Sequence, residues 1–288
     1  MKELTRLSPA KINLTLRVIA RRGDGFHEIE SLVTRVGLHD RITVSLVSDE
    51  QWTVTCSDPE IPGDERNLAF KAARLLAKNV NYTGGVRIHI EKNIPASAGL
   101  GGGSSNAATV LMALNELWKA GLSPAELARI GSSIGSDVPL FLQAQSCCII
   151  RGRGELITEV PQALRGWAVL FIPALHCATP QVYAEWDRTT PAATRPTLEQ
   201  IMTRINDPAA LRELLFNDLE EPAHAAYPEL ARVARYLTDL CGPGVRMTGS
   251  GSAFYYLTES EEEARRVVDS ASPEESDGVR TVCVSIPD

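Results

Sequence analysis

The residues best suited to chemistry lie in one short stretch of the 288-residue chain, Gly99-Leu100-Gly101-Gly102-Gly103-Ser104-Ser105. A run that alternates like a strand precedes it, and a run with helical repeat follows. Glycine lets a backbone adopt positive φ and approach a ligand closely. A helix start adds unpaired N–H groups and the positive end of a dipole, so the stretch reads as a phosphate cradle. It is not a P-loop, since no Gly-Lys-Ser/Thr occurs, and Ser104 breaks G-x-G-x-x-G. The protein-kinase signatures H-R-D and D-F-G are absent. Ser8-Pro9-Ala10-Lys11 fits S-x-x-K, but a strand follows it and the companion motifs S-D-N and K-T-G are missing. Three other features stay open on local grounds. Lys11 alone is a polar residue at the start of a strand, and Asp137, in GSDVPLF, reads as a turn or cap aspartate. Gly249-Ser250-Gly251-Ser252 is either a tight hairpin or a second ligand turn.

Around these residues the chain must supply rigid elements. Ile12, Leu14, Leu16 and Val18 alternate with Lys11, Asn13, Thr15 and Arg17, which predicts a half-buried strand with Lys11 and Asn13 on one face. Residues 21–27 read as a turn. Strands are expected at Ile42–Leu46, Val86–Ile90 and Ala168–Ile172, and in the final VRTVCVSI. Asn67 can cap a helix through Leu76, and a helix from Ala107 to Trp118 should stop at Gly121. Ser123, Pro124 and Glu126 form a capping box, as do Ser260 and Glu263. A further helix is expected near 211–216, and 188–197 is an exposed loop. Helices and strands mix without strict alternation, which favours an α+β fold.

Composition narrows the function. The chain carries 29 Lys and Arg against 36 Asp and Glu, a net charge of −7, which argues against nucleic acid as a partner. No run is apolar enough to cross a membrane, and the N-terminus lacks a secretory signal. Six cysteines without C-x-x-C and five histidines without H-E-x-x-H fit neither a disulfide scaffold nor a zinc site. The expectation is a reduced, cytoplasmic protein without a metal of its own.

Taken together, PAKINL at 9–14, PASAGLGGGSS at 95–105 and GSGS at 249–252 resemble the GHMP kinase superfamily. RRGDGFHEIES at 21–31 and IGSDVPLF at 134–141 narrow the resemblance to its branch acting on a cytidine-diphosphate-linked methylerythritol. It is dense over 9–155 and thinner beyond. The resemblance implies an N-terminal domain over 1–158 like ribosomal protein S5 domain 2, and a ferredoxin-like C-terminal domain over 159–288, with the substrate site between the two. It implies ATP-dependent phosphorylation of the 2-hydroxyl of 4-diphosphocytidyl-2-C-methyl-D-erythritol, in the non-mevalonate isoprenoid route, by a monomer or homodimer. Lys11 and Asp137 match the catalytic pair. ATP would lie on Pro95, Ala96, Ser97, Ala98, Gly99, Leu100, Gly101, Gly102, Gly103, Ser104 and Ser105, with Asn67 and Lys92 near the adenine. Mg2+ would take Ser104 or Ser105, with Ser105 preferred. Asn13, Phe26, His27 and Tyr183 match the acceptor site, with Phe26 and Tyr183 flanking the cytosine. Position 26 is often Tyr in this family and position 183 often Phe, so the rings persist while one hydroxyl contact is lost. The rival readings are a kinase of homoserine, mevalonate or galactose, and a non-catalytic nucleotide- or RNA-binding module. DGFH with Tyr183 suits a nucleobase and speaks against the first. Lys11, Asp137 and the negative charge speak against the second.

Overall fold

A computed structural model describes residues 2–161, 164–189, 194–271 and 278–287. In chain order it forms β1 (Glu3–Asn13), β2 (Thr15–Arg21), β3 (His27–Val47), β4 (Trp52–Cys56), α1 (Leu68–Val80) and β5 (Gly85–Glu91). Next come α2 (Gly102–Trp118), α3 (Pro124–Ser132), a 3₁₀ turn at Val138–Leu142, β6 (Cys147–Gly152), β7 (Leu156–Glu159) and β8 (Gly166–Ile172). Then follow α4 (Thr179–Trp186), α5 (Leu198–Met202), α6 (Pro208–Arg212), β9 (Phe216–Asn217) and α7 (Glu220–Ala226). The last elements are α8 (Pro228–Cys241), β10 (Arg246–Met247), β11 (Phe254–Thr258), α9 (Glu261–Ser270) and β12 (Arg280–Ile286). Two compact units interleave in sequence: 1–10, 38–96 and 101–144 form one, and 11–37, 97–100 and 145–288 the other. Residues 145–158 thus pack with the second unit, whereas the resemblance assigns them to an N-terminal domain ending at 158.

In the first unit the C-terminal half of β3 pairs antiparallel with β5, and β4 lies parallel to β5 on its other edge. Ile42, Val44, Val86, Ile88 and Ile90 are buried, as their alternation requires. Helix α1 packs on α2. Asn67 caps α1 by accepting from the Ala69 N–H at 2.9 Å, and α3 opens with the full Ser123–Glu126 capping box. Helix α2 ends at Trp118 and is capped by Lys119, which takes the left-handed conformation (φ 54°), two residues before the expected Gly121.

In the second unit the N-terminal half of β3 lies between β2 and β6. A separate antiparallel sheet runs β10-β11-β8-β12. Counted within that sheet the order is 2-3-1-4, and helices follow its first and third strands, which is the ferredoxin-like arrangement expected of the C-terminal half. Its core includes Ala168, Val169, Leu170, Phe171 and Phe254, all fully buried. Three expectations need correction. The 11–18 alternation is broken at Leu14, and Lys11, Asn13 and Thr15 are as buried as the apolar face, because their polar groups bond within the protein. The helix near 211–216 stops at Arg212, since Phe216 and Asn217 pair parallel to Thr15 and Leu16. Ser260 caps α9, but Glu263 accepts from Glu259 N–H, leaving the box half formed. In the 188–197 loop, 190–193 lie outside the described residues.

Candidate active site

The stretch expected to cradle phosphate takes its shape from glycine geometry at the start of α2. Gly99 and Gly101 take φ of 77° and 71°, where a Cβ is strained. Ala98 and Leu100 anchor the stretch by burial, while Ser97 and Gly103 are exposed. Gly101 supplies no side-chain cap, and the first intrahelical bond is from Ser105 N–H to the Gly101 carbonyl at 2.9 Å. The N–H groups of Gly102, Gly103 and Ser104 have no partner among the described residues, as an anion site at a helix start requires.

Within the first unit the loop carrying Asp137 reaches this helix start. A Cβ placed on Gly135 would lie 3.7 Å from Ser104 Oγ. Asp137 stands at the N-cap position of the 3₁₀ turn, yet its carboxylate makes no capping bond. The half-exposed carboxylate is therefore not consumed by local structure, contrary to the cap reading.

Asn67 and Lys92 are committed to the scaffold. Asn67 is 7% exposed; its Oδ1 caps α1 and its Nδ2 donates to the Pro62 carbonyl at 3.0 Å. Lys92 Nζ pairs with the buried Asp40 at 2.7 Å and donates to the Ile94 carbonyl. Asp40 Oδ1 accepts from the N–H groups of Asn93 and Ile94, fixing the turn that leaves β5. Ser105 is fully buried and its Oγ accepts from Ser8 at 2.8 Å, so its hydroxyl faces the interior and does not suit a metal. Ser104 is half-exposed.

In the second unit Lys11 is 5% exposed, and its Nζ donates to Asn13 Oδ1 at 2.7 Å and to the Gly99 carbonyl at 2.6 Å. Asn13 is held at both ends, by Ser31 Oγ at 2.8 Å and by Thr248, whose Oγ1 accepts the Asn13 N–H at 3.0 Å. Thr248 Oγ1 also lies within donating distance of Asn13 Oδ1 and the Gly99 carbonyl. The Gly249–Ser252 turn joins antiparallel β10 and β11, so it is a hairpin, and it is also packed on the first glycine stretch. A Cβ on Gly99 would meet the Thr248 carbonyl oxygen at 2.1 Å. Thr248 and Ser31 escaped the sequence reading; only the adjacency of Thr248 to the second glycine turn pointed to it.

At the other end of β2, the His27 ring stacks on Tyr183 with centroids 4.6 Å apart and meets the edge of Trp186 at 5.4 Å. Its Nε2 lies 2.8 Å from Asp187 Oδ1. Phe26 is 51% exposed, with the Arg153 guanidinium 4.7 Å from its centroid. The expected flanking rings are thus found as a Tyr183–His27 stack and a separate Phe26–Arg153 pair. Among the described residues no group of three or more His, Cys, Asp or Glu could hold a metal, and no helix is long and apolar enough to cross a membrane.

The GHMP kinases N terminal domain matches residues 67–145, and the GHMP kinases C terminal domain matches 196–275. A 4-diphosphocytidyl-2-C-methyl-D-erythritol kinase of Shouchella clausii is 41% identical over 90% of this chain and 87% of its own length. One from Exiguobacterium sibiricum is 39% identical over 90% and 91%. A crystal structure of 4-(cytidine 5'-diphospho)-2C-methyl-D-erythritol kinase superposes with a TM-score of 0.81 at 36% identity, covering 99% of this chain and 100% of that one. Homoserine kinase from Cytophaga hutchinsonii shares the fold at a TM-score of 0.71 and 17% identity, over 98% and 94% of the two chains. The chain belongs to the GHMP kinases, and within them to the 4-diphosphocytidyl-2-C-methyl-D-erythritol kinase family.

Proposed function

We propose that this chain transfers the γ-phosphoryl group of ATP to the 2-hydroxyl of 4-diphosphocytidyl-2-C-methyl-D-erythritol, giving the 2-phosphate and ADP in the non-mevalonate isoprenoid route. The observation that carries the reading is an Asp137 carboxylate left out of capping, on a loop that reaches an uncapped glycine helix start. Phosphoryl transfer asks mainly for positioning and charge stabilisation. The free N–H groups of Gly102 to Ser104 receive phosphate oxygens. Asp137 accepts the hydrogen bond, and with it the proton, of the attacking hydroxyl. Lys11 Nζ stabilises charge on the transferred group and the developing alkoxide. Mg2+ supplies charge neutralisation at the phosphate oxygens when bound. The half-exposed Ser104 hydroxyl, and not Ser105, fits as its protein ligand. Asn13 contacts the methylerythritol, and Phe26, His27 and Tyr183 receive the cytosine. The chain acts as a monomer or homodimer in the cytoplasm, without nucleic acid or membrane.

Release of ADP from ATP, with each candidate acceptor offered separately, tests this. Turnover is expected with the cytidine-diphosphate-linked alcohol and not with homoserine, mevalonate or galactose. Turnover with one of those three, and none with the cytidine-linked alcohol, would overturn the assignment.

A further inference from the structure

His27 is constrained on several sides within the second unit. Its side chain is 9% exposed, Tyr183 covers one face, and Trp186 meets it edge-on. Its Nε2 lies 2.8 Å from Asp187 Oδ1, and Asp187 Oδ2 is tied to Arg21 Nη1 at 3.3 Å. A carboxylate oxygen only accepts, so Nε2 carries a proton. In a neutral imidazole the other nitrogen is then a bare lone pair. Nδ1 makes no hydrogen bond among the described residues.

We propose that Asp187 is a specificity-determining positioning residue: by holding the His27 proton on Nε2 it keeps Nδ1 an acceptor, which suits a pyrimidine whose edge offers an amino group. Cytosine presents such a donor where uracil presents a carbonyl acceptor. Against uracil, Nδ1 would face another lone pair and both groups would stay unpaired. Sites built to hydrogen-bond a substrate group reject analogues lacking it far more strongly than apolar pockets do. Removing Asp187 frees the ring to place its proton on Nδ1 and to accept uracil. The inference rests on the reading that the acceptor carries a cytidine diphosphate. Asp187 also has a sequence relation to the site: it follows Tyr183 by four residues at the end of α4, so one helical turn delivers both the stacking ring and the carboxylate.

The test measures kcat/KM of the wild type, Asp187→Ala, Asp187→Ser and Asp187→Glu for the cytidine- and uridine-diphosphate-linked acceptors. The wild type is expected to prefer cytidine by about tenfold or more. Asp187→Ala and Asp187→Ser should lose most of that preference, through the acceptor KM and with the ATP KM unchanged. Asp187→Glu should restore part of it. Nitrogen-15 NMR of the imidazoles, with His27→Gln identifying the signal, should show wild-type His27 protonated on Nε2 alone and a tautomer mixture in Asp187→Ala. Asp187→Ser decides the case if Asp187→Ala does not fold. Undiminished cytidine preference in a folded variant lacking the carboxylate, or a wild-type His27 protonated on Nδ1, would overturn the inference and leave the function standing. A wild type that phosphorylates neither acceptor would overturn the proposed function, and this inference with it.

Discussion

Asp137 and Lys11 differ in how far their surroundings already use them. Asp137 holds no cap bond, so its loss removes nothing that the 3₁₀ turn depends on. Asp137→Asn is therefore expected to fold and bind ATP as the wild type does, while turnover falls about 10²–10⁴-fold. Melting curves, calorimetry with ATP and steady-state ADP release check this together; retention of more than half the turnover would refute the role. Lys11 is bonded to Asn13 and to the Gly99 carbonyl, so its ammonium also shapes the loop. Local sequence could not show this. A lysine on an alternating strand looks solvated until its distant partner, the Gly99 carbonyl, arrives, and with it Ser31 and Thr248, which hold the neighbouring Asn13. Asp137 was ambiguous for the same reason, since cap geometry and capping hydrogen bond are separate facts.

Elements were legible wherever the signal is local. Asn67, Ser123 with Glu126, and the alternations that became β5 and β12 formed as their sequences dictate. Ends set by remote pairing were not legible, as at Leu14 and after Arg212, where β9 is recruited by β2. The glycine helix start separates two kinds of glycine. A Cβ on Gly102 would meet Lys92 Nζ and Ile94 Cγ2, each at 3.0 Å, whereas on Gly103 the nearest atom is Leu68 Cδ1 at 3.5 Å. Gly102→Val should thus cost about 1–3 kcal/mol of stability by overpacking. Gly103→Val should leave stability nearly unchanged while abolishing ATP binding by obstructing the cradle. Urea titration beside calorimetry distinguishes the two variants, and normal ATP affinity in Gly103→Val would remove the cradle from consideration.

The molecule as a whole carries a pH-dependent weakness at Glu220, in the first turn of α7. Burial pushes its carboxyl from the usual 4.5 to about 7, against the pull of Arg246 and of the Met247 N–H that it accepts. Between those values the folded chain binds more protons than the unfolded one, so stability falls as pH rises through the window. Glu220→Gln should flatten the dependence between pH 5 and 8 and raise stability at pH 8 by about 1–3 kcal/mol. Urea midpoints across that range test it, and an unchanged slope would contradict it. The α+β class was readable from the mixture of patterns, but the interleaving of the two units was not, because compactness follows contacts and not chain order.

Gly99 and Thr248 are 149 residues apart, and their contact ties the glycine loop to the calendar of folding. A contact spanning that much chain is made only after long loops have closed, an entropic cost that slows assembly. Helices α1 and α2, built from local bonds, can form well before the loop acquires its shape. After dilution from denaturant, recovery of ATP binding should lag behind recovery of helical circular dichroism. Until residue 248 has left the ribosome, an emerging chain lacks the contact that shapes Gly99, so on the proposed function ATP would bind after that stretch is made and would not guide its making.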